Sequence, residues 1–357
     1  MTETVRLFVD GAWEPAPSAR PDPDACTWID IELDRAEEAE TALTADWLAG
    51  EFPELEATRA AKGGALPPTD PPRIRIFPSW TFSRLYWLGA TDRENGDRAL
   101  AAQETHVLAS RRTVVTLRYP PIHWHPFGPT SPEVTPGTPG ISTDNLAKHV
   151  TELARIADWG PDDFGLGFQI ALLGRVASSY INALDFVGVV ADRVEEQVSQ
   201  GQEDEDRTSA EILSLRRLLR QIRWAFLPED ESAELLSWPT PDRRNHVLDA
   251  RLGDAGAESV RAQTTTHNLM EQVQQTFDLQ SALRQEAIGR TSYMLTVVAT
   301  LLLPPTLIAG IYGMNFRYMP WLNSRPAFLL TLAAMGGVAA IGWLAIRRSG
   351  AGKPRTP

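Results

Sequence analysis

Cysteine is almost missing from this sequence: Cys26 is the single one in 357 residues. One thiol cannot close an intrachain disulfide or build a cysteine-based metal site, and the scarcity fits a reducing compartment. A P-loop, a dinucleotide-binding glycine fingerprint and an HExxH motif are also missing, so nothing signals nucleotide-driven or zinc-protease chemistry. No internal repeat is visible. The first residues, MTETVRLFVD, have neither the basic start nor the apolar core of a signal peptide. Basic residues are in short supply: 34 Lys and Arg face 46 Asp and Glu, a net charge of −12. That balance disfavours nucleic acid as a partner, because phosphate neutralisation needs cationic side chains.

The most informative absence is local. From Met294 onward no Asp or Glu occurs, and between Met294 and Ile346 the only charges are Arg317 and Arg325. The tail adds Arg347, Arg348, Lys353 and Arg355, so residues 1–293 hold all 46 acids against 28 basic residues, a balance of −18. An acidic body is joined to an apolar, acid-free end. Two runs at that end, Met294–Tyr312 and Ala327–Ile346, each approach the roughly 20 apolar residues that cross a bilayer. Two spans put both termini on one side. The basic tail assigns that side to the cytoplasm of the inner (plasma) membrane, although the two arginines of the link weigh against it.

The body reads as α/β followed by helices. Val5–Asp10, Thr27–Leu33, Arg73–Phe77, Leu85–Gly89 and Thr113–Tyr119 have the length and β-branched or aromatic content of strands. Asp34–Ala49, Ser142–Asp158, Phe168–Gln200 and Thr208–Trp238 have helical apolar spacing, the last bent at Pro228. Gly63–Pro72 and Pro120–Gly140 are proline- and glycine-rich loops. From Arg243 no proline occurs before Pro304, so a stalk helix about 100 Å long runs directly into the first span. The expected organisation is residues 1–165 as an α/β domain, 166–242 as long helices completing it, 243–293 as stalk and 294–312 as first span. Residues 313–326 form the outer loop, 327–346 the second span and 347–357 the basic tail.

On a helical wheel Leu295, Ala299, Leu303, Thr306, Gly310 and Gly313 share one face of the first span. A face of small residues with one hydroxyl permits close helix packing, or leaves a lumen when several copies surround an axis. Pro304-Pro305 removes two backbone donors inside the span, which reads as a kink or, alternatively, as a direct ion site. His123 and His125 lie in a proline-rich loop, and two histidines do not make a metal site.

At the outer end of this span stands Gly313-Met314-Asn315, within IAGIYGMNF and followed by Met319-Pro320. This stretch, with LTVVATLLLPPTLIAG before it and a second apolar span after it, resembles the signature of CorA-type magnesium transporters. TWIDIEL, TVVTLRY, SSYINALD and LRRLLRQIRWAFLP extend a looser similarity over nearly the whole chain. The resemblance implies a homopentameric funnel: cytoplasmic α/β domains, long stalk helices, five first spans lining a pore and five second spans around them. It implies that Asn315 carboxamides, with Gly313 and Met314, meet a hydrated cation at the entrance, and that Gly310, Thr306, Leu303, Ala299, Leu295, Ser292 and Gly289 follow along the pore. It further implies self and lipid as partners, divalent metal ions as cargo, no resident cofactor and no enzymatic activity. Asp254 matches a stalk acid that binds a regulatory divalent cation in this family; a plain solvated acid is the alternative.

The sequence departs from the family where the outer loop carries Arg317 and Trp321 in place of acids, a loop that with Arg325 bears +2, and where Pro305 replaces an aliphatic residue. A cationic loop lowers the local cation concentration. Transport of Mg²⁺, with Co²⁺ or Ni²⁺, therefore stands beside a proton-coupled Zn²⁺ transport like that of the related ZntB branch. A membrane-tethered sensor or scaffold with a vestigial pore is the alternative of another class.

Overall fold

The computed structural model describes residues 2–9, 12–15, 25–34, 38, 48, 51–53, 71–92, 98–124, 142–201, 205–226, 235, 246–314 and 325–348. It divides into two units, Met1–Phe277 and Asp278–Pro357.

The first unit is built on a mixed sheet whose strands are β1 (Thr2–Val9), β2 (Ala12–Pro15), β3 (Cys26–Glu32), β4 (Arg73–Ile76), β5 (Trp80–Asp92), β6 (Arg98–Ser110), β7 (Thr113–Arg118) and β8 (Ile122–Trp124). The order is β2-β1-β3-β7-β6-β5-β4, with β8 added to β6. β3 and β7 pair in parallel, Ile29 against Val115, and the other ladders are antiparallel. Period-two alternation splits the central strands between two cores. Cys26, Trp28 and Val114 face one side, and Ile29, Ile31, Val115 and Leu117 face the other.

Helices cover the first of these faces: α1 (Thr143–Ala157), a short 3-10 turn at Pro161–Asp163, α2 (Phe164–Gln200), α3 (Glu205–Ala225) and α4 (His246–Tyr312). Ser142 caps α1 by accepting from the Asn145 N–H. α2 passes a length-and-hydropathy test for a membrane span, but most of that window is buried in the core. Phe164, Phe168, Val187 and Val194 are among its buried side chains, each worth about 1.5–3 kcal/mol. Along α4 the buried positions Leu248, Leu252, Ala255, Ala262, Leu269 and Val273 form a seam, and Leu269 lies against Gly188 of α2.

A buried ionic knot ties the layers. The Asp30 carboxylate accepts from Thr116 Oγ1 (2.6 Å), from Arg118 Nε and Nη2 (3.1 and 2.9 Å) and from Thr143 Oγ1 (2.8 Å). The Asp30 charge, with Glu32 beside it, more than offsets the burial of Arg118 and pushes its pKa up. Removing one partner of such a buried pair leaves an uncompensated charge, at a cost of about 3–5 kcal/mol.

Several sequence expectations are corrected here. β5 runs far beyond the expected Leu85–Gly89, and β6 was not expected at all. Its centre, Gln103-Glu104-Thr105-His106, is polar yet buried. Glu104 lies 2.7 Å from His106 Nε2 and 3.3 Å from Arg84 Nε, and Gln103 donates to Tyr119 O, so partners replace the apolar alternation that would mark a strand. His123, expected in a loop, lies on β8; His125 and most of the expected Asp34–Ala49 helix fall outside the described residues. α3 ends at Ala225, before Pro228.

In the second unit, the outer part of α4 is followed by α5 (Arg325–Arg348). The most apolar window of α4 has mean hydropathy 2.0 with no residue buried, and Leu329–Leu344 of α5 is apolar too.

Gly165 allows the start of α2 to hug the β6–β7 turn: its N–H donates to Arg111 O at 3.0 Å. A Cβ there would run into Ser110 O. Gly165→Ala is expected to destabilise the chain by about 3 kcal/mol, read as a lower unfolding temperature of the detergent-solubilised protein; an unchanged temperature would refute the close approach.

Candidate ion pathway

The outer part of α4 has one face against α5 and one face open. Val297, Leu301, Pro304, Pro305 and Ile308 are half-buried at helical spacing, and so are Thr331, Met335, Ala339 and Gly342 of α5. The two sets form a seam: a Cβ on Gly342 would stand 3.4 Å from Leu301 Cδ2. Small residues at Ala339 and Gly342 let the helices approach.

Leu295, Ala299, Leu303, Thr306, Gly310 and Gly313 lie roughly 170° around α4 from that seam, at ~100° per residue. They are exposed, Leu295 and Leu303 to 66% each. Ala299, Leu303, Thr306 and Gly310 share one shallow, mostly apolar groove, bordered by Leu302, Leu307, Ile311 and Met314. The small side chains make the concavity. A Cβ added at Gly310 would meet nothing within 4 Å, and neither would one at Gly289. Ser292 and Gly289 continue along the same helix and are exposed.

The Thr306 hydroxyl donates to Leu302 O at 2.7 Å. Its proton is thereby engaged within the helix, and its lone pairs are left to accept from outside. Thr296 and Thr300 back-bond in the same way, to Ser292 O and Thr296 O. Pro304 and Pro305 sit inside the helix and supply no N–H to the carbonyls of Thr300 and Leu301. Both prolines belong to the α5 seam, which favours a packing role for them over an ion site on the open face. The helix closes with Gly313 N–H donating to Ala309 O and Met314 N–H to Ile311 O. Asn315, Arg317 and Trp321 lie outside the described residues.

Asp254 belongs to the first unit, on a pocket wall with His149, Glu152, Arg175, Arg251 and Glu258. It is 70% exposed and lies 3.7 Å from Arg251. Burial first, and then Arg175 and Arg251, lower the His149 pKa. Glu258 accepts from Ser178 Oγ at 2.9 Å. Among the described residues no group of three or more His, Cys, Asp or Glu side chains is placed to hold a metal ion.

This architecture can be set beside known proteins. The family of CorA-like Mg2+ transporter proteins matches residues 25–348. The chain belongs to that family. CorA-like proteins are transporters rather than a class of enzymes. The cobalt/magnesium transport protein CorA of Thermotoga maritima is 28% identical over 171 residues, 48% of each chain. The zinc transport protein ZntB of Vibrio parahaemolyticus is 26% identical, over 50% of this chain and 56% of the relative. The chain thus spans about half the length of the curated relatives it matches. The CorA magnesium transporter structure from Methanocaldococcus jannaschii superposes with TM-score 0.69 over 98% of both chains at 16% identity. The full-length CmaX structure gives 0.60 over 97% of this chain and 96% of that one, also at 16% identity. These likenesses show a shared CorA fold.

The α5 seam on α4 was not singled out from the sequence. Its signal was present in the four- and three-residue spacing of Val297, Leu301, Pro304 and Ile308. Gly310→Ala is expected to leave helix content and unfolding temperature unchanged or slightly raised, because its Cβ points into open space and alanine favours helix by about 1 kcal/mol. Lost helicity in circular dichroism would contradict the open face.

Proposed function

We propose that five copies of this chain form a pore in the inner membrane that conducts hydrated divalent cations, Mg²⁺ foremost. α4 lines it, α5 surrounds it and both termini are cytoplasmic. The observation that carries this reading is the division of α4: its α5 seam and its small-residue face with Thr306 lie on opposite sides. A helix packed on a second helix along one side and presenting a groove of Ala299, Leu303, Thr306 and Gly310 on the other suits a pore wall.

Mg²⁺ gives up its water reluctantly, so the wall should recognise the hydrated ion. Coordinated waters donate hydrogen bonds outward. The Thr306 oxygen, its own proton engaged by Leu302 O, is suited to accept them. A ring of Asn315 carboxamide oxygens at the entrance would do the same without the tight grip of carboxylates. Rings of Leu303 and Leu295 would close the path by dewetting. An inside-negative potential of 100 mV gives a divalent ion about 4.6 kcal/mol, which drives uptake without nucleotide hydrolysis.

A proton-coupled Zn²⁺ transport is the second reading, favoured by the two positive charges between the spans, Arg317 and Arg325 at the start of α5, and by the likeness to ZntB. Uptake of Mg²⁺, Co²⁺ and Zn²⁺ into proteoliposomes, with and without a pH gradient, separates the two. Flux that needs only a membrane potential supports the channel, flux that needs an inward proton gradient supports the carrier, and no flux from an intact pentamer leaves the sensor. Asn315→Ala is expected to lower flux at least about tenfold, the worth of roughly 1.4 kcal/mol of lost interaction, with the pentamer intact; wild-type flux would remove Asn315 from the entrance. Arg317→Glu is expected to raise Mg²⁺ uptake at low ionic strength and much less at high salt; equal uptake at both would show the loop charge to be without effect.

A further inference from the structure

Two outward helix faces in the first unit carry opposite charge. On α2, Asp185, Val189, Asp192 and Glu196 follow at steps of four, three and four, and all four are exposed, Val189 to 62%. Arg193 flanks this stripe. On α3, Leu213, Arg217 and Arg220 follow at four and three; they too are exposed, Leu213 to 46%, with Arg223 exposed beside them. The run Arg216–Arg223 is the most basic stretch of a body whose balance is −18.

Among the described residues neither stripe is neutralised within the chain. Asp192 accepts from the neutral amide of Gln272, and Glu196 from that of Gln200. Arg216 lies over the Phe277 ring, and Arg220 donates to Arg216 O. No ion pair joins Asp185, Asp192 or Glu196 to a cation, or Arg217, Arg220 or Arg223 to a carboxylate. Each stripe has an exposed apolar residue that charge alone does not explain, Val189 on the acidic face and Leu213 on the basic one.

We infer that the acidic α2 face of one copy docks on the basic α3 face of the next, a head-to-tail contact that repeats around a closed ring. The inference rests on the cyclic assembly of the proposed function and adds the surface through which the cytoplasmic parts join. Two different patches on one chain, complementary in charge and neither neutralised within it, call for a heterologous contact, and such a contact makes a ring when its rotation closes. Opposite charge supplies orientation and partner choice, while Val189 and Leu213 each add apolar area on their own face.

The register follows from the hairpin. Tyr180 Oη donates to Ala225 O at 2.7 Å, so these residues stand level on the antiparallel helices. Asp185 lies five residues after Tyr180 and Arg220 five before Ala225. Asp192 and Leu213 lie twelve from the same two marks, and Val189 and Arg217 nine and eight. A rotation axis running along the helices keeps levels, which sets Asp185 opposite Arg220 of the next copy and Val189 opposite its Arg217.

Disulfide trapping tests the contact in the full-length protein. The native Cys26 is buried with its pKa pushed up to about 11, so it stays silent. Chains carrying only Val189→Cys and chains carrying only Arg217→Cys are co-assembled and oxidised. The expected result is a covalent dimer of the two variants, absent when either is oxidised alone. Separately, Arg220→Asp should reduce the fraction of intact oligomer in native mass spectrometry several-fold, and adding Asp185→Arg should restore it. An intact pentamer with no mixed dimer and no rescue overturns this contact while leaving the ring standing. Dimers of Val189→Cys with itself would show a two-fold contact and overturn it as well. If the wild-type protein forms no ring, the proposed function fails together with it.

Discussion

The outer part of α4 cannot be satisfied by its own chain. Its most apolar window has no buried residue, and Leu295, Leu302, Leu303 and Leu307 are each at least 60% exposed. Every exposed Å² of that surface is unfavourable in water by about 25 cal/mol, so the segment needs lipid, further copies of itself, or both. α5 covers one side through Leu301 and Gly342. What remains is a face whose small residues let other helices or a file of water come close. The proposed assembly, a membrane and the proposed ion path would each answer that one deficit.

The same helix reads differently along its length. Within the first unit its seam of Leu248, Leu252, Leu269 and Val273 is buried against neighbouring helices, and its polar positions pair outward, Gln272 with Asp192 and Glu195. Beyond Tyr293 the polar residues thin out and threonine hydroxyls turn back onto carbonyls one turn earlier. A hydroxyl that bonds its own helix can tolerate a hydrocarbon surrounding and can still accept a hydrogen bond if water arrives. Thr306 is the residue at which that dual capacity falls on the open face.

Much of this was legible from the sequence, and the reasons for the gaps are physical. The apolar end declared itself through missing acids, since charge is costly in lipid. The family was legible from Gly313-Met314-Asn315 at the end of a first of two spans, a short motif given meaning by its position. β6 was hidden because Glu104 is satisfied inside the sheet by His106 and by the buried Arg84, and buried polar residues with such partners look like surface in a linear reading. α2 shows the reverse confusion: its composition would suit a membrane, and only the sheet beneath it identifies a core helix. The setting of Asp254, beside Arg251 and across a pocket from Arg175, depends on three helices meeting and has no sequence signal.

In the proposed pore the Thr306 face of α4, and not the Leu301 face, meets water. Cysteine accessibility measures this directly, because the native thiol is buried. Thr306→Cys and Leu301→Cys proteins in liposomes would be treated with a membrane-impermeant thiosulfonate while uptake is followed. Rapid modification and block are expected at Thr306→Cys and none at Leu301→Cys. Modification of Leu301→Cys with Thr306→Cys protected would contradict that arrangement.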